Sequence, residues 1–115
     1  MRELIEQLTA GYGEKLVAYR RHLHENPELS FHEEKTSAWI KEHLEAAGVP
    51  LMPGISGNSV VGVIDSGIPG PCVAFRADID ALPIQEETGL PYSSKVPNVM
   101  HACGHDAHTA MLLCL

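Results

Sequence analysis

The grammar of this sequence changes at Gly48, and that change bounds the fold more tightly than any other feature. Before Gly48, apolar residues recur at helical spacing; after it come short β-branched runs divided by glycine and proline. Leu4, Leu8, Leu16, Tyr19 and Leu23 stand three, four or eight apart, which predicts a helix from Arg2 to about Asn26 with one apolar face. Gly11 and Gly13 weaken its middle and allow a kink. Asn26-Pro27 ends it, because the residue before proline is pushed out of the α region. A second helix is expected from about Glu33 to Ala47. Ala38, Trp39, Leu44 and Ala47 give it an apolar side, with Ile40 close by. Gly48 occupies the place of a C′ glycine, and Pro50 blocks continuation.

Beyond Gly48, Asn58 to Asp65 (N-S-V-V-G-V-I-D) and Cys72 to Ala77 (C-V-A-F-R-A) read as short strands. The link Ser66-Gly67-Ile68-Pro69-Gly70-Pro71 suits a tight antiparallel hairpin. Leu82 to Val99 reads as loop, punctuated by Pro83, Gly89, Pro91 and Pro97. A last helix is expected from about His105 to Leu115. Ala110, Met111, Leu112, Leu113 and Leu115 make it apolar almost all round, as in a buried helix. It carries no stop signal, so the chain reads as part of something longer. The chain thus divides into a helical first part and a strand-and-loop second part.

Composition narrows the function. At 115 residues the chain makes one small domain with a modest core. With 44% hydrophobic and 20% charged residues it has the balance of a soluble globular protein. A net charge of -7 argues against binding nucleic acid or docking on an anionic membrane. No apolar run is long enough to cross a bilayer, and Met1 to Ala10 lacks the apolar core of a secretion signal. Cys72, Cys103 and Cys114 are odd in number and irregular in spacing, unlike a disulfide framework. The expected compartment is the cytoplasm, where thiols stay reduced.

The segment richest in chemistry is Met100 to Thr109 (M-H-A-C-G-H-D-A-H-T). Histidine, cysteine and aspartate are ligand types for borderline divalent metals. Cys103 and His105 flank Gly104, which lets the backbone turn so that two side chains converge. Asp106 at a helix start complements the dipole and could orient a histidine ligand. His101 and His108 could orient ligands, touch substrate, or serve only as hydrogen-bonded loop residues. The four-residue step from His101 to His105 is not a zinc-helix motif, because Ala102 stands where its glutamate belongs and Gly104 disfavours helix. A nucleophilic Cys103 would leave the surrounding histidines unexplained.

A second segment, Phe75-Arg76-Ala77-Asp78-Ile79-Asp80-Ala81-Leu82-Pro83, places Asp78 and Asp80 two apart at a strand end, where they would share a side. Like charges there need a cation, such as a metal ion, Arg76 or a histidine; a solvated turn explains the segment as well. His22, His24, His32 and His43 lie on or near the early helices and read as surface residues.

Three stretches in this order resemble the aminoacylase and hippurate-hydrolase-like metallo-amidohydrolases. They are R-R-H-L-H-E-N-P-E-L-S-F-H-E (20–33), F-R-A-D-I-D-A-L-P-I-Q-E-E-T-G-L-P-Y (75–92) and M-H-A-C-G-H-D-A-H-T-A-M-L-L (100–113). The resemblance implies that residues 1–115 are the N-terminal part of a three-layer α/β/α metallopeptidase-type catalytic domain, cut before an inserted dimerisation domain. It implies two divalent ions, drawn from manganese, zinc, cobalt and nickel. Cys103 and His105 are then metal ligands, and Asp78 and Asp80 active-site carboxylates. His101, Asp106 and His108 support the ligands or meet substrate. The implied reaction is hydrolysis of the amide bond of small N-acyl amino acids or short peptides, by a homodimer at full length. The general-base glutamate and the remaining ligands lie downstream of Leu115, so the 115-residue chain alone is expected to be inactive. The contrasting expectation is a non-catalytic metal-binding or interaction module completed by a partner chain. Relatives often carry glycine where this chain has Asn98, a residue that tolerates positive φ.

Overall fold

The computed structural model describes all 115 residues. It contains three helices: α1 (Arg2–Glu25), α2 (Glu34–Ala46) and α3 (His105–Leu113). α1 runs unbroken through Gly11 and Gly13. Each glycine costs about 1 kcal/mol relative to alanine, which the good helix formers around them absorb. Only its last turns are packed: Leu23 and His24 are buried, while Leu4, Ile5 and Leu8 are all more than half exposed.

The carboxylate of Glu28 caps α2 from outside the helix. It accepts the N–H groups of Lys35 and Thr36 at 3.1 and 2.7 Å and the Thr36 hydroxyl at 2.7 Å. A negative charge at that end also meets the positive pole of the helix dipole. At the other end Gly48 takes φ 74, and its N–H and that of Val49 bond back to Glu45 and Leu44. The buried side of α2 is Thr36, Ser37 and Ile40, whereas Ala38 is exposed.

The two expected strands and their hairpin do not form. No backbone hydrogen bond joins 58–65 to 72–77. Val61 and Val63 pair instead with the segment after α2, through Met52 N–H to Val61 O at 2.8 Å and Val63 N–H to Pro50 O at 2.9 Å. The physical reason is burial. Ile64, Val73 and Phe75 are 83%, 70% and 65% exposed, and β-branched residues stabilise a strand only when their face is covered. A lone two-stranded ribbon is marginal in water. The observed β pairing is three isolated bridges: Leu29 with Ala81 in parallel, and Leu51 with Gly62 and Leu82 with Met100 antiparallel.

α3 is also less buried than its composition predicts. Thr109 and Ala110 are buried, but Met111 is half exposed and Leu115 lies at the surface. The apolar core is correspondingly small: Leu23, Ile40, Ala81 and Ala110. Polar side chains outnumber these, with His24, Glu33, Thr36, Ser37, Glu86, His101, Asp106 and Thr109 all buried. Buried polar groups need partners, and finding those partners locates the site.

Candidate metal centre

Two of the isolated bridges draw the three chemistry-bearing stretches together. On one side of Asp80, Ala81 donates its N–H to Glu28 O at 2.8 Å, and the Ser30 hydroxyl donates to the Asp80 carboxylate. On the other side, Leu82 pairs with Met100. Segment 78–82 therefore lies between the end of the α1–α2 connection and the approach to α3. Thr109 of α3 adds a hydrogen bond to the Asp78 carbonyl at 3.1 Å.

The chain then turns sharply at Gly104, which takes φ 90 and ψ 12 and opens α3. That left-handed conformation favours glycine, and it sets Cys103 outside the helix and His105 as its first residue. His105 Nδ1 lies 2.9 Å from Asp80 Oδ1 and 3.0 Å from the Asp80 carbonyl. Both neighbours only accept, so Nδ1 carries the proton, and Nε2 remains as the ring's available lone pair. A carboxylate that fixes a histidine in this way orients it as a metal ligand and raises its basicity. Ser30 foremost, with His105, holds the Asp80 carboxyl below its ordinary value against the opposing effect of burial.

Asp78 goes elsewhere. Its carboxylate pairs with Arg76 at 2.6 Å on the surface, so the two aspartates do not converge on one group. Cys103 is an exposed free thiol. His108 is exposed, with its ring 6.1 Å from that of His105. His101 is 5% exposed, and neither ring nitrogen has a hydrogen-bond partner. Burial above all lowers its pKa, so the neutral ring is favoured.

Asp106, 1% exposed, is the most buried ionisable residue of the site. Its Oδ2 accepts from Arg20 Nε at 2.9 Å and meets His24 Nδ1 at 2.7 Å. The opposite nitrogen of His24 lies 3.1 Å from Glu86 Oε1. Burial works to raise the Glu86 pKa, but the Ser94 N–H, the Thr88 hydroxyl and His24 overcome it and hold it at about 2. Sequence reasoning placed His24 at the surface and overlooked Arg20, Ser30 and Glu86. Helical spacing held a signal for two of them: Leu16, Arg20, Leu23 and His24 fall at i, i+4, i+7 and i+8 on one face. Glu86 has no local signal, since its partners come from α1 and from a loop.

The donor chemistry around Gly104 suits a divalent ion, a thiol beside an imidazole already held by a carboxylate. Their number does not complete a site: no three His, Cys, Asp or Glu side chains are gathered so that they could hold a metal.

Residues 74–115 match the model for peptidase family M20/M25/M40. The chain is 55% identical over 112 residues to a Bacillus subtilis protein named as an amidohydrolase, YhaA, covering 97% of this chain and 28% of that one. Residues 74–115 thus resemble the M20 peptidase family. The chain is also 49% identical to the N-acyl-L-amino acid amidohydrolase of Geobacillus stearothermophilus, over 97% of this chain and 30% of that protein. Its fold superposes on the crystal structure of Bacillus subtilis YXEP, described as a dinuclear metal-binding M20 peptidase. The TM-score is 0.85 at 46% identity, over 90% of this chain and 29% of YXEP. The chain thus spans under a third of the length of these proteins.

Proposed function

We propose that residues 1–115 form part of a metal-dependent hydrolase that cleaves the amide bond of N-acyl amino acids or short peptides. The observation that carries this reading is the double hold of Asp80 on His105 Nδ1, which prepares Nε2 as a ligand two residues from the Cys103 thiol. The names of the relatives, an N-acyl-L-amino acid amidohydrolase and a dinuclear metal-binding peptidase, support the substrate class and the use of two ions. Bound there, divalent ions such as manganese, zinc, cobalt or nickel would polarise the amide carbonyl and acidify an attacking water.

Within this chain, Cys103 and His105 would hold metal, and Asp80 would keep the proton on His105 Nδ1. His101, with its neutral ring, and the exposed His108 would serve the ligands or the substrate. Asp78, paired with Arg76, would join the site only by leaving that partner. A catalytic site needs at least three protein ligands and an open position, so the isolated chain is expected to bind metal weakly and turn nothing over. The exposure of Ile64, Val73 and Phe75 supports a three-layer α/β/α domain in which further strands and helices cover that apolar surface. Homodimerisation at full length and residence in the cytoplasm belong to the same reading. The free state of all three cysteines suits a reducing compartment, and no helix is long and apolar enough to cross a membrane.

The test is to fuse residues 1–115 to the remaining length of the Bacillus subtilis relative and load the fusion with manganese, zinc or cobalt. N-acetyl and N-benzoyl amino acids serve as substrates. Hydrolysis that disappears, together with bound metal, in Cys103→Ser and His105→Ala supports the reading. Unchanged metal content and rate in both variants would overturn it.

A further inference from the structure

We propose that Arg20 and His24 of α1 are positioning residues for this site, acting through Asp106; the inference rests on the metal-ligand reading of Cys103 and His105. His105 and Asp106 are consecutive residues in the first turn of α3. Their side chains leave the helix about 100° apart, so anchoring both fixes the turn in rotation as well as in position. Asp80 anchors the first, and Arg20 with His24 anchors the second. Without the second anchor the turn could pivot about Gly104, where no side chain fills the open space on its Cβ side.

The anchor is a buried polar cluster built on Asp106 Oδ2, while Asp106 Oδ1 has no hydrogen-bond partner. Each ring nitrogen of His24 faces a carboxylate oxygen, of Asp106 at 2.7 Å and of Glu86 at 3.1 Å. Arg20 and His24 thus meet the carboxyl groups of Asp106 and Glu86 in one hydrogen-bonded cluster. Three of the four are almost wholly buried, with side-chain exposures of 3%, 1% and 2% for His24, Asp106 and Glu86. Buried polar groups assembled this closely carry their own desolvation cost, and they define one geometry by penalising every other. His24 is the penultimate residue of α1, so the helix end holds the metal-binding turn directly.

The experiment reads the imidazole nitrogens of the 115-residue chain by long-range 15N–1H NMR. In the wild-type chain, His105 is expected to be one tautomer, protonated at Nδ1 with a preference of at least about tenfold, as a charge-assisted bond supplies. In His24→Ala and in the isosteric Asp106→Asn, that preference is expected to collapse toward the Nε2-protonated form usual for free imidazole. The α2 amide signals, from Glu34 to Ala46, should stay in place, which separates a local release from general unfolding. An unaltered His105 spectrum in His24→Ala, or a wild-type His105 that already averages its tautomers, would overturn the proposal. If His24→Ala loses the α2 signals as well, Asp106→Asn decides by the same criterion. Cobalt titration of residues 1–115 fused to the remaining length of the Bacillus subtilis relative, followed through the thiolate absorption of Cys103, separates the two readings. Failure of cobalt to reach the thiolate counts against the metal assignment, whereas an indifferent His105 counts against the anchor.

Discussion

Leu82 and Met100 exchange both of their backbone hydrogen bonds, Leu82 N–H to Met100 O at 2.9 Å and Met100 N–H to Leu82 O at 3.0 Å. This single reciprocal pair holds the Asp80 segment against the residues that lead into Cys103 and His105. Met100→Pro removes one donor and leaves the Leu82 carbonyl only the Ile84 N–H at 2.8 Å. A loss of roughly 0.5–1.5 kcal/mol is expected. A lower urea midpoint and faster hydrogen exchange at the Leu82 amide check it.

Gly104 offers a cleaner test of backbone conformation. A Cβ at this position would meet no heavy atom within 4 Å, so Gly104→Ala creates no clash. At φ 90 the cost is conformational alone, roughly 1–2 kcal/mol. A fall in the urea midpoint of that order is expected. Gly13→Ala, in an exposed helix interior, should shift the midpoint upward by about 1 kcal/mol instead.

Glu86 predicts an acid limb of stability. Its folded pKa of about 2 lies below the ordinary 4.5, so ionised Glu86 stabilises the fold fully above 4.5. That contribution fades as the pH falls from 4.5 toward 2. Urea midpoints measured across this range should drop more steeply in the wild-type chain than in Glu86→Gln, which cannot titrate.

Gly62 is constrained by space. A Cβ there would lie 2.7 Å from Val49 Cγ1 and 3.6 Å from Leu44 Cδ1. Valine is stiff at χ1 and gives way poorly, so Gly62→Ala should destabilise by roughly 1–3 kcal/mol through overpacking. Trimming the neighbour in Gly62→Ala/Val49→Ala should recover part of that loss, as a double-mutant cycle would measure.

The helices were legible in the sequence to within a residue or two because their signals are local. Gly48, the Asn26-Pro27 pair and the spacing of Leu16, Tyr19 and Leu23 each act over a turn or less. Gly104 was legible for the same reason, and so was Asn98, which takes φ 59. The strands were not, because Val60 to Ile64 and Val73 to Phe75 carry the composition of a buried sheet while the chain offers little to bury them. The same locality explains the site. Cys103, His105 and Asp106 lie in one run of four residues and could be read together. Asp78 and Asp80 looked equivalent by alternation, and only Ser30 and His105, brought in from afar, distinguish them. His24 was misread because its partners lie 62 and 82 residues away.

The connection between His24 and Ser30 is pinned at both ends, by the Asp106 contact and by the bond to Asp80. Six steps of chain span two fixed points, with Pro27 stiffening the middle. One deletion there would force a choice between losing grip on α3 and losing grip on Asp80. The link from Ser66 to Pro71 is free of any such tether. Length variation should therefore accumulate in that link over evolutionary time, while the short span after α1 keeps its residue count.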